Sequence, residues 1–288
     1  MPVTAVINRK GGSGKSTLAT HLAGYCARKG LRVMLGDVDQ QQSSLGWLRR
    51  RAAQPAAKAA PIVGWAVDNQ RLTRPPAGIT HVVLDTPGGL RGFQLARVVI
   101  NADAILVPVG NSAFDRESAA DCFAELMTLP RVASGRCKVA AVGMRLDART
   151  NSAAQLEAWA ARHAIPYLGA LRETQVYVRS VDQGLTLFDL PAAKVAADLR
   201  QWQPIVDWVE SAWAAADRAG AAAKKDGAIG ARVLAPPAGG AAAAPKVAPR
   251  RASADVLDSR LLHESSDKAS RRSLAGRLGR WLTVFRPD

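Results

Sequence analysis

This sequence offers no disulfide framework. It has three cysteines, Cys26, Cys122 and Cys137, an odd number with no C-x-x-C pair among them. Such a set neither staples a small secreted fold nor builds a thiolate metal site. It reads as buried free thiols in a reducing compartment. Long apolar runs are missing as well, and a membrane span would need about 18 consecutive apolar residues. The opening stretch "MPVTAVINRK" runs directly into a strand pattern and lacks the charged-then-apolar character of an export signal. Together these absences predict a cytoplasmic protein. Negative charge is in short supply too, with 24 Asp and Glu against 39 Lys and Arg, a formal net of +15. That excess calls for an anionic partner: nucleic acid, an anionic membrane surface, or nucleotide. Residues 217 to 288 hold 14 Lys and Arg against 7 Asp and Glu, a net of +7, which leaves +8 for residues 1 to 216. The charge is therefore not confined to one tail.

What the chain does contain is the material for a sizeable core. Its 288 residues are 48% hydrophobic and 22% charged, the balance of a globular protein with one large domain or two small ones. Short apolar, β-branched runs alternate with longer stretches of helical periodicity, which predicts βαβ units and a doubly wound, mostly parallel sheet flanked by helices. Strands are expected at 3–8, 32–38, 80–85, 104–109 and 138–144, with a weaker one at 62–67. Helices are expected to begin near Lys15, Ser43, Gly92, Asp115 and Asn151. A helical stripe of Val195, Leu199, Trp202, Val206 and Val209 marks 192–216, with Pro204 as an expected kink. Three segments follow: a folded domain over 1–216, a flexible Ala/Gly/Pro-rich linker over 217–268, and a basic amphipathic helix over 269–288.

The strongest motif is "INRKGGSGKST", residues 7–17. A strand precedes it and a helix follows, the setting of a phosphate-binding loop. Gly11, Gly12 and Gly14 let backbone N–H groups turn inward around phosphate oxygens, and the helix N-terminus adds partial positive charge. Lys15 is placed to reach β- and γ-phosphates, and the Ser16 hydroxyl to meet Mg2+. Residues Lys10 to Thr17, Ser13 included, form the expected nucleotide contact. The usual first glycine is absent: Arg9 stands in its place and a second lysine, Lys10, follows.

The run Lys10-Gly11-Gly12-Ser13-Gly14-Lys15-Ser16 resembles the deviant Walker A motif of the ParA/MinD family at every fixed position. The resemblance covers roughly residues 1 to 215. It implies a P-loop NTPase fold and a homodimer formed on ATP, in which Lys10 reaches across to the partner's nucleotide. A cation delivered in trans can stabilise the charge that develops on a transferring phosphoryl group. The segment "GDVDQQQSS" is similar to the family's D-x-D-P-Q stretch. That likeness makes Asp39 the residue that positions the attacking water and Asp37 a support for the hydrated metal, although Gln40 replaces the proline. In "HVVLDTPGGL", an apolar strand runs into Asp85 as a Walker B strand should, with Thr86 to Gly89 as a second switch. Lys10, Lys15 and Asp39 are thus the expected catalytic residues. Ser16, Asp37 and Asp85 form the expected metal set. Arg145, in "MRLDART", matches the arginine of an Asn-Arg pair near adenine, with Met144 where the asparagine would stand.

"RETQVYVRSVDQGLTLFD", 172–189, resembles the short, ParF-like partitioning members of the family. No helix-turn-helix pattern precedes the loop, which fits the short form. Iron–sulfur relatives need cluster cysteines that the Asp85 switch lacks. Amide-forming or carboxylating enzymes of the same fold remain an alternative. The resemblance implies slow ATP hydrolysis stimulated by an adaptor protein, and ATP-dependent, sequence-independent binding of nucleoid DNA. Arg172, Arg179, Lys194 and Arg200 are the candidate phosphate contacts. The competing surface is membrane. Leu274, Leu278, Trp281, Leu282 and Phe285 form one helical stripe bordered by Arg271, Arg272, Arg277 and Arg280, the pattern of an interfacial anchor. A helix docking on its own domain and a peptide captured by a partner are the other readings of that stripe.

Overall fold

The computed structural model describes residues 1–39, 41–66, 75–147 and 149–233, with side chains described through residue 221. Seven strands form one sheet: β1 (Val3–Val6), β2 (Val33–Asp37), β3 (Ile62–Ala66), β4 (His81–Asp85), β5 (Ala104–Val109), β6 (Lys138–Leu146) and β7 (Tyr167–Arg172). Their order is β3-β2-β4-β1-β5-β6-β7, and every adjacent pair is parallel. The chain winds one way from β1 and then the other, so the sheet's switch point lies at β1, where such folds bind ligands beyond the strand ends.

The parallel sheet explains the near-continuous apolar strands, because both faces must be covered. Ala5, Ile7, Ile105 and Val107 face one core layer, while Val6 and Leu106 face the other, the period-2 alternation of a pleated strand. The first layer is closed by α4 (Gly92–Val99), α5 (Ala113–Thr128), α6 (Pro130–Ala133) and α7 (Ser152–Arg162). The second is closed by α1 (Lys15–Arg28), α2 (Ser43–Arg51), α8 (Gln175–Asp182) and α9 (Ala192–Val233). A short helix, α3 (Pro55–Ala59), precedes β3. Cys26, Cys122 and Cys137 are all free and buried in these layers, as their spacing predicts. Burial pushes the Cys26 and Cys137 thiols up to about 12 and that of Cys122 to about 11, so they are inert.

Polar contacts seat the second layer. Arg51 and Asp189 form a fully buried bidentate pair at 2.8 and 3.1 Å that ties α2 to the turn after α8. Gly184 has a φ of +72°, and a Cβ there would collide with the Arg51 backbone nitrogen, so only glycine lets the two segments meet. Trp202 is buried in α9 and donates its indole N–H to the Tyr177 hydroxyl at 2.9 Å.

Three sequence expectations change. The edge strand β7, "YLGALR", has no counterpart among the expected strands: it is half-buried and lacks the β-branched run that marks the central ones. In α9 the only non-helical backbone lies at Val195 (φ −129°, ψ 16°), not at Pro204. Val195 is buried, and the chain bends there as it passes from a first turn into the long helix that carries Trp202. That helix also runs to Val233, past the domain boundary expected at Ala216. Its alanines, read as linker, are the strongest helix formers. Residues 234–288, which hold the rest of the expected linker and the whole 269–288 stripe, lie outside the described residues. No helix among the described residues is long and apolar enough to cross a membrane.

Candidate phosphate and metal site

The site is assembled where β1, β4 and β2 end. The loop after β1 places Gly12 and Gly14 in left-handed conformations (φ +71° and +96°), which frees its N–H groups to face inward before α1 begins at Lys15. Lys15 is buried, and its Nζ donates to the Lys10 carbonyl at 3.0 Å, closing the loop on itself. Burial lowers its pKa, with Asp85 and Asp39 pulling the other way. Among the described residues no carboxylate lies within 4 Å of that ammonium, so its charge is available to an anion.

The register sets the carboxylates. Asp37 of β2 pairs with Asp85 of β4, so both emerge side by side. Asp37 Oδ2 accepts the N–H groups of Ser44 and Leu45 at 2.9 and 3.1 Å, and its Oδ1 accepts that of Asp39 at 3.0 Å. It therefore caps the first turn of α2 from a distance. Burial still raises its pKa against those three donors. Asp85 is fully buried, and its Oδ2 accepts the Ser44 hydroxyl at 2.6 Å. Burial pushes it up to about 6, against the Ser44 hydrogen bond and the nearby Ser16 hydroxyl. Among the described residues its Oδ1 has no partner, and neither does the buried Ser13 hydroxyl.

Those orphaned oxygens, beside a glycine-rich loop that leads into the N-terminus of α1, fit a hydrated Mg2+ and a phosphate chain. A buried polar atom left unpaired is expensive unless a ligand completes it. Among the described residues no group of three His, Cys, Asp or Glu side chains could hold a metal alone. The cation would share its shell between Asp85, the Ser16 hydroxyl and phosphate oxygens, with Asp37, whose oxygens are already committed, acting through water. Asp39 accepts the Gln41 N–H at 3.0 Å and stays part-exposed at the mouth of the site. Gly89 donates its N–H to the Arg9 carbonyl at 2.7 Å, so the second switch rests on the phosphate loop.

Next to the loop lies a cleft of about 290 Å³ whose lining includes Gly14, Thr17, Met144, Leu171, Tyr177 and Val178. Its apolar floor suits a planar ring. Arg145 stands at an irregularity between β6 and β7 with φ +55°, and its guanidinium donates to the Gly12 carbonyl at 2.6 Å. It braces the loop, while Met144 supplies the apolar surface.

The other expected residues separate. The Lys10 side chain pairs with Asp115 of α5. Arg172, expected to contact DNA, is held by Asp198 through two contacts at 2.7 and 2.9 Å, and Asp198 is fully buried. That arginine is committed to the fold. Arg179 on α8, and Lys194 and Arg200 on α9, are exposed, with no carboxylate within 4 Å among the described residues. Sequence reasoning missed Ser44, which joins both carboxylates, and the acidic face of α5. Ser112-x-x-Asp115 was a readable signal for that helix start.

The comparisons agree with this fold. A family model described as "CobQ/CobB/MinD/ParA nucleotide binding domain" matches residues 4–188. Maintenance of carboxysome distribution protein A from Halothiobacillus neapolitanus is 28% identical over 199 residues, 67% of this chain and 90% of that protein. Chromosome-partitioning ATPase Soj from Thermus thermophilus is 30% identical over 188 residues, 55% of this chain and 75% of that protein. Among solved structures, the ATP complex of a Cyanothece McdA variant covers 71% of this chain and 96% of its own, with a TM-score of 0.56 and 15% identity. The MinD cell division protein of Aquifex aeolicus covers 72% and 98%, with a TM-score of 0.52 and 16% identity.

Proposed function

The chain belongs to the CobQ/CobB/MinD/ParA nucleotide-binding domain family, and from that premise we propose that it is an ATP-dependent dimerising switch ATPase that positions DNA or another intracellular cargo. The observation that carries this reading is the division of the loop's two lysines. Lys15 is buried and folded onto its own loop, whereas Lys10 leaves that loop and pairs with Asp115 of α5. A part-exposed lysine that is not folded onto its own phosphate loop suits delivery to a second copy.

In this reading Lys15 and the N–H groups of residues 11–16 bind and orient the β- and γ-phosphates. Mg2+, when bound, neutralises phosphate charge and supplies Lewis acidity. Ser16 and Asp85 would hold that metal, Asp37 would steady its water shell, and Asp39 would orient the attacking water. Lys10 of each copy stabilises charge at the other's γ-phosphate. Met144, Leu171 and Val178 pack against adenine. Phe93 and Phe114 are 77% and 76% exposed on the first turns of α4 and α5. Apolar surface of that kind suits burial between two copies. Hydrolysis, stimulated by an adaptor protein, would reopen the dimer. The relatives' names span carboxysome distribution and chromosome partitioning, so the cargo stays general while the switch is shared.

The surface proposed for the ATP form is non-specific DNA, reached through Arg179, Lys194 and Arg200 in a nucleoid-associated, cytoplasmic setting. A dimer doubles the phosphate contacts, which makes binding nucleotide-dependent. The test is gel shift of random duplex with ATP against ADP across a salt series. The ATP form should bind tighter and lose affinity steeply with salt. Equal binding in ATP and ADP removes DNA as the switched surface. Vesicle flotation with anionic lipid then becomes the next measurement, on the strength of the 269–288 stripe.

A further inference from the structure

The loop's two unusual cations, Arg9 and Lys10, both end on one helix. Lys10 Nζ pairs with Asp115 in the first turn of α5, and Arg9 pairs with Glu125 about three turns later. Neither contact is a casual surface pair. Asp115 also accepts the Ser112 hydroxyl at 2.6 Å on its other oxygen, as half of the capping box that starts α5. A Cβ at Gly110 would sit 2.5 Å from that same oxygen, so the strand-to-helix turn closes tightly around the carboxylate. The Lys10 N–H donates to Asn8 Oδ1 at 2.8 Å, and the buried Asn8 donates to the Pro108 carbonyl at 2.6 Å. Backbone and side chain of Lys10 are thus both pinned toward β5 and α5.

Glu125 extends the same arrangement to the start of α4, just past the Thr86–Gly89 segment. Its Oε1 accepts the Gly92 N–H at 2.6 Å, at the start of α4, while its other oxygen holds Arg9. Arg9 in turn offers its carbonyl to Gly89. One acidic face of α5 therefore grips the phosphate loop and the start of α4 together.

We propose that Asp115 is a positioning residue that latches Lys10 in the lone chain, and that release of this latch is the step that readies Lys10 for a second copy's nucleotide. This rests on the dimerising reading above and deepens it by naming what holds the lysine back. A cation already paired in its own chain must exchange one anion for another, so the latch sets the threshold for assembly. Phe114, the exposed neighbour of Asp115, places that exchange on surface suited to an arriving copy.

The experiment measures the ATP concentration for half-maximal dimerisation of the full chain by sedimentation. Asp115→Asn keeps an oxygen for the helix cap and removes the charge; Ser112→Ala weakens the cap and keeps the ion pair. Asp115→Asn should dimerise at about fivefold lower ATP, the ratio a part-exposed ion pair supports, and Ser112→Ala should show no such fall. An unchanged or higher threshold in Asp115→Asn overturns the latch. So does an equal fall in Ser112→Ala, because helix stability would then be the cause. A thermal-unfolding cycle of Lys10→Met, Asp115→Asn and the double variant, without nucleotide, reads the contact independently of assembly. Coupling supports it and strict additivity overturns it. A parent that stays monomeric in ATP overturns the release step along with the dimer reading, and the cycle distinguishes that failure from a missing contact.

Discussion

On one flank of β1 the strand ends carry buried charge: Asp37 and Asp85, joined through Ser44 and facing Lys15. On the other flank, at β6 and β7, the same edge carries an apolar cleft floored by Met144, Leu171 and Tyr177. The charged flank is held by strand register, which sets Asp37 beside Asp85, and by hydrogen bonds from the first turn of α2. The apolar flank is held by packing, with Trp202 of a distant helix supporting Tyr177. The two flanks can therefore be perturbed separately.

The largest expected effect breaks the apolar flank. Trp202→Ala should destabilise the chain by about 3–5 kcal/mol, the cost of emptying a large aromatic site, while Trp202→Phe should lose about 1 kcal/mol with the Tyr177 hydrogen bond. Denaturant titration checks both. If Trp202→Ala leaves the midpoint unchanged, the two-layer packing described for α9 is wrong.

On the charged flank, Lys15→Ala should weaken ATP binding by about 100-fold or more through loss of charge-assisted contacts, with stability close to the parent's. Calorimetric titration reads the affinity. A variant that binds ATP normally would separate Lys15 from the phosphates.

Asp85 makes the comparison pH-dependent. Its pKa in the folded, nucleotide-free chain is raised from 3.8 to about 6. A raised carboxylate means the folded chain holds the proton more tightly than the unfolded one, so this residue's contribution to stability falls as pH rises through that window and levels off above it. Asp85→Asn should remove that slope. The melting difference between variant and parent should grow toward about pH 6 and then stay constant, while hydrolysis falls by about 100-fold. Parallel melting curves would contradict the assignment.

The smallest contrast separates arginines. Arg172→Ala leaves the buried Asp198 unpaired and should cost about 1–3 kcal/mol. Arg179→Ala should stay within about 0.5 kcal/mol of the parent and instead reduce the salt slope of DNA binding by about one. Unfolding curves and salt titrations distinguish the two.

The sequence made the charged flank legible because its chemistry needs fixed residue types at fixed spacings. Gly12, Gly14, Lys15 and Asp85 each follow a strand that announces itself by apolar run and β-branching. The first six strands were readable for that reason. The apolar flank was not, because β7 is a short edge strand and Met144, Leu171 and Val178 become a cleft only when distant segments pack. Arg172 looked like a free cation until the fold brought Asp198 to it. The alanine run after Ala216 gave composition without packing, and its helix could not be told from a linker. Asp115 was visible as a helix cap, but its pairing with Lys10 depends on the turn at Gly110 and on no local pattern.

The measurement that tests the account most directly is sedimentation velocity of the parent, Lys15→Ala and Lys10→Ala with ATP and Mg2+, and again with ADP. The account predicts a dimer only for the parent with ATP. Lys15→Ala should stay monomeric because nucleotide is lost. Lys10→Ala should stay monomeric while still binding ATP. If Lys10→Ala dimerises and hydrolyses ATP like the parent, the second lysine is not delivered across an interface and the switch reading is contradicted.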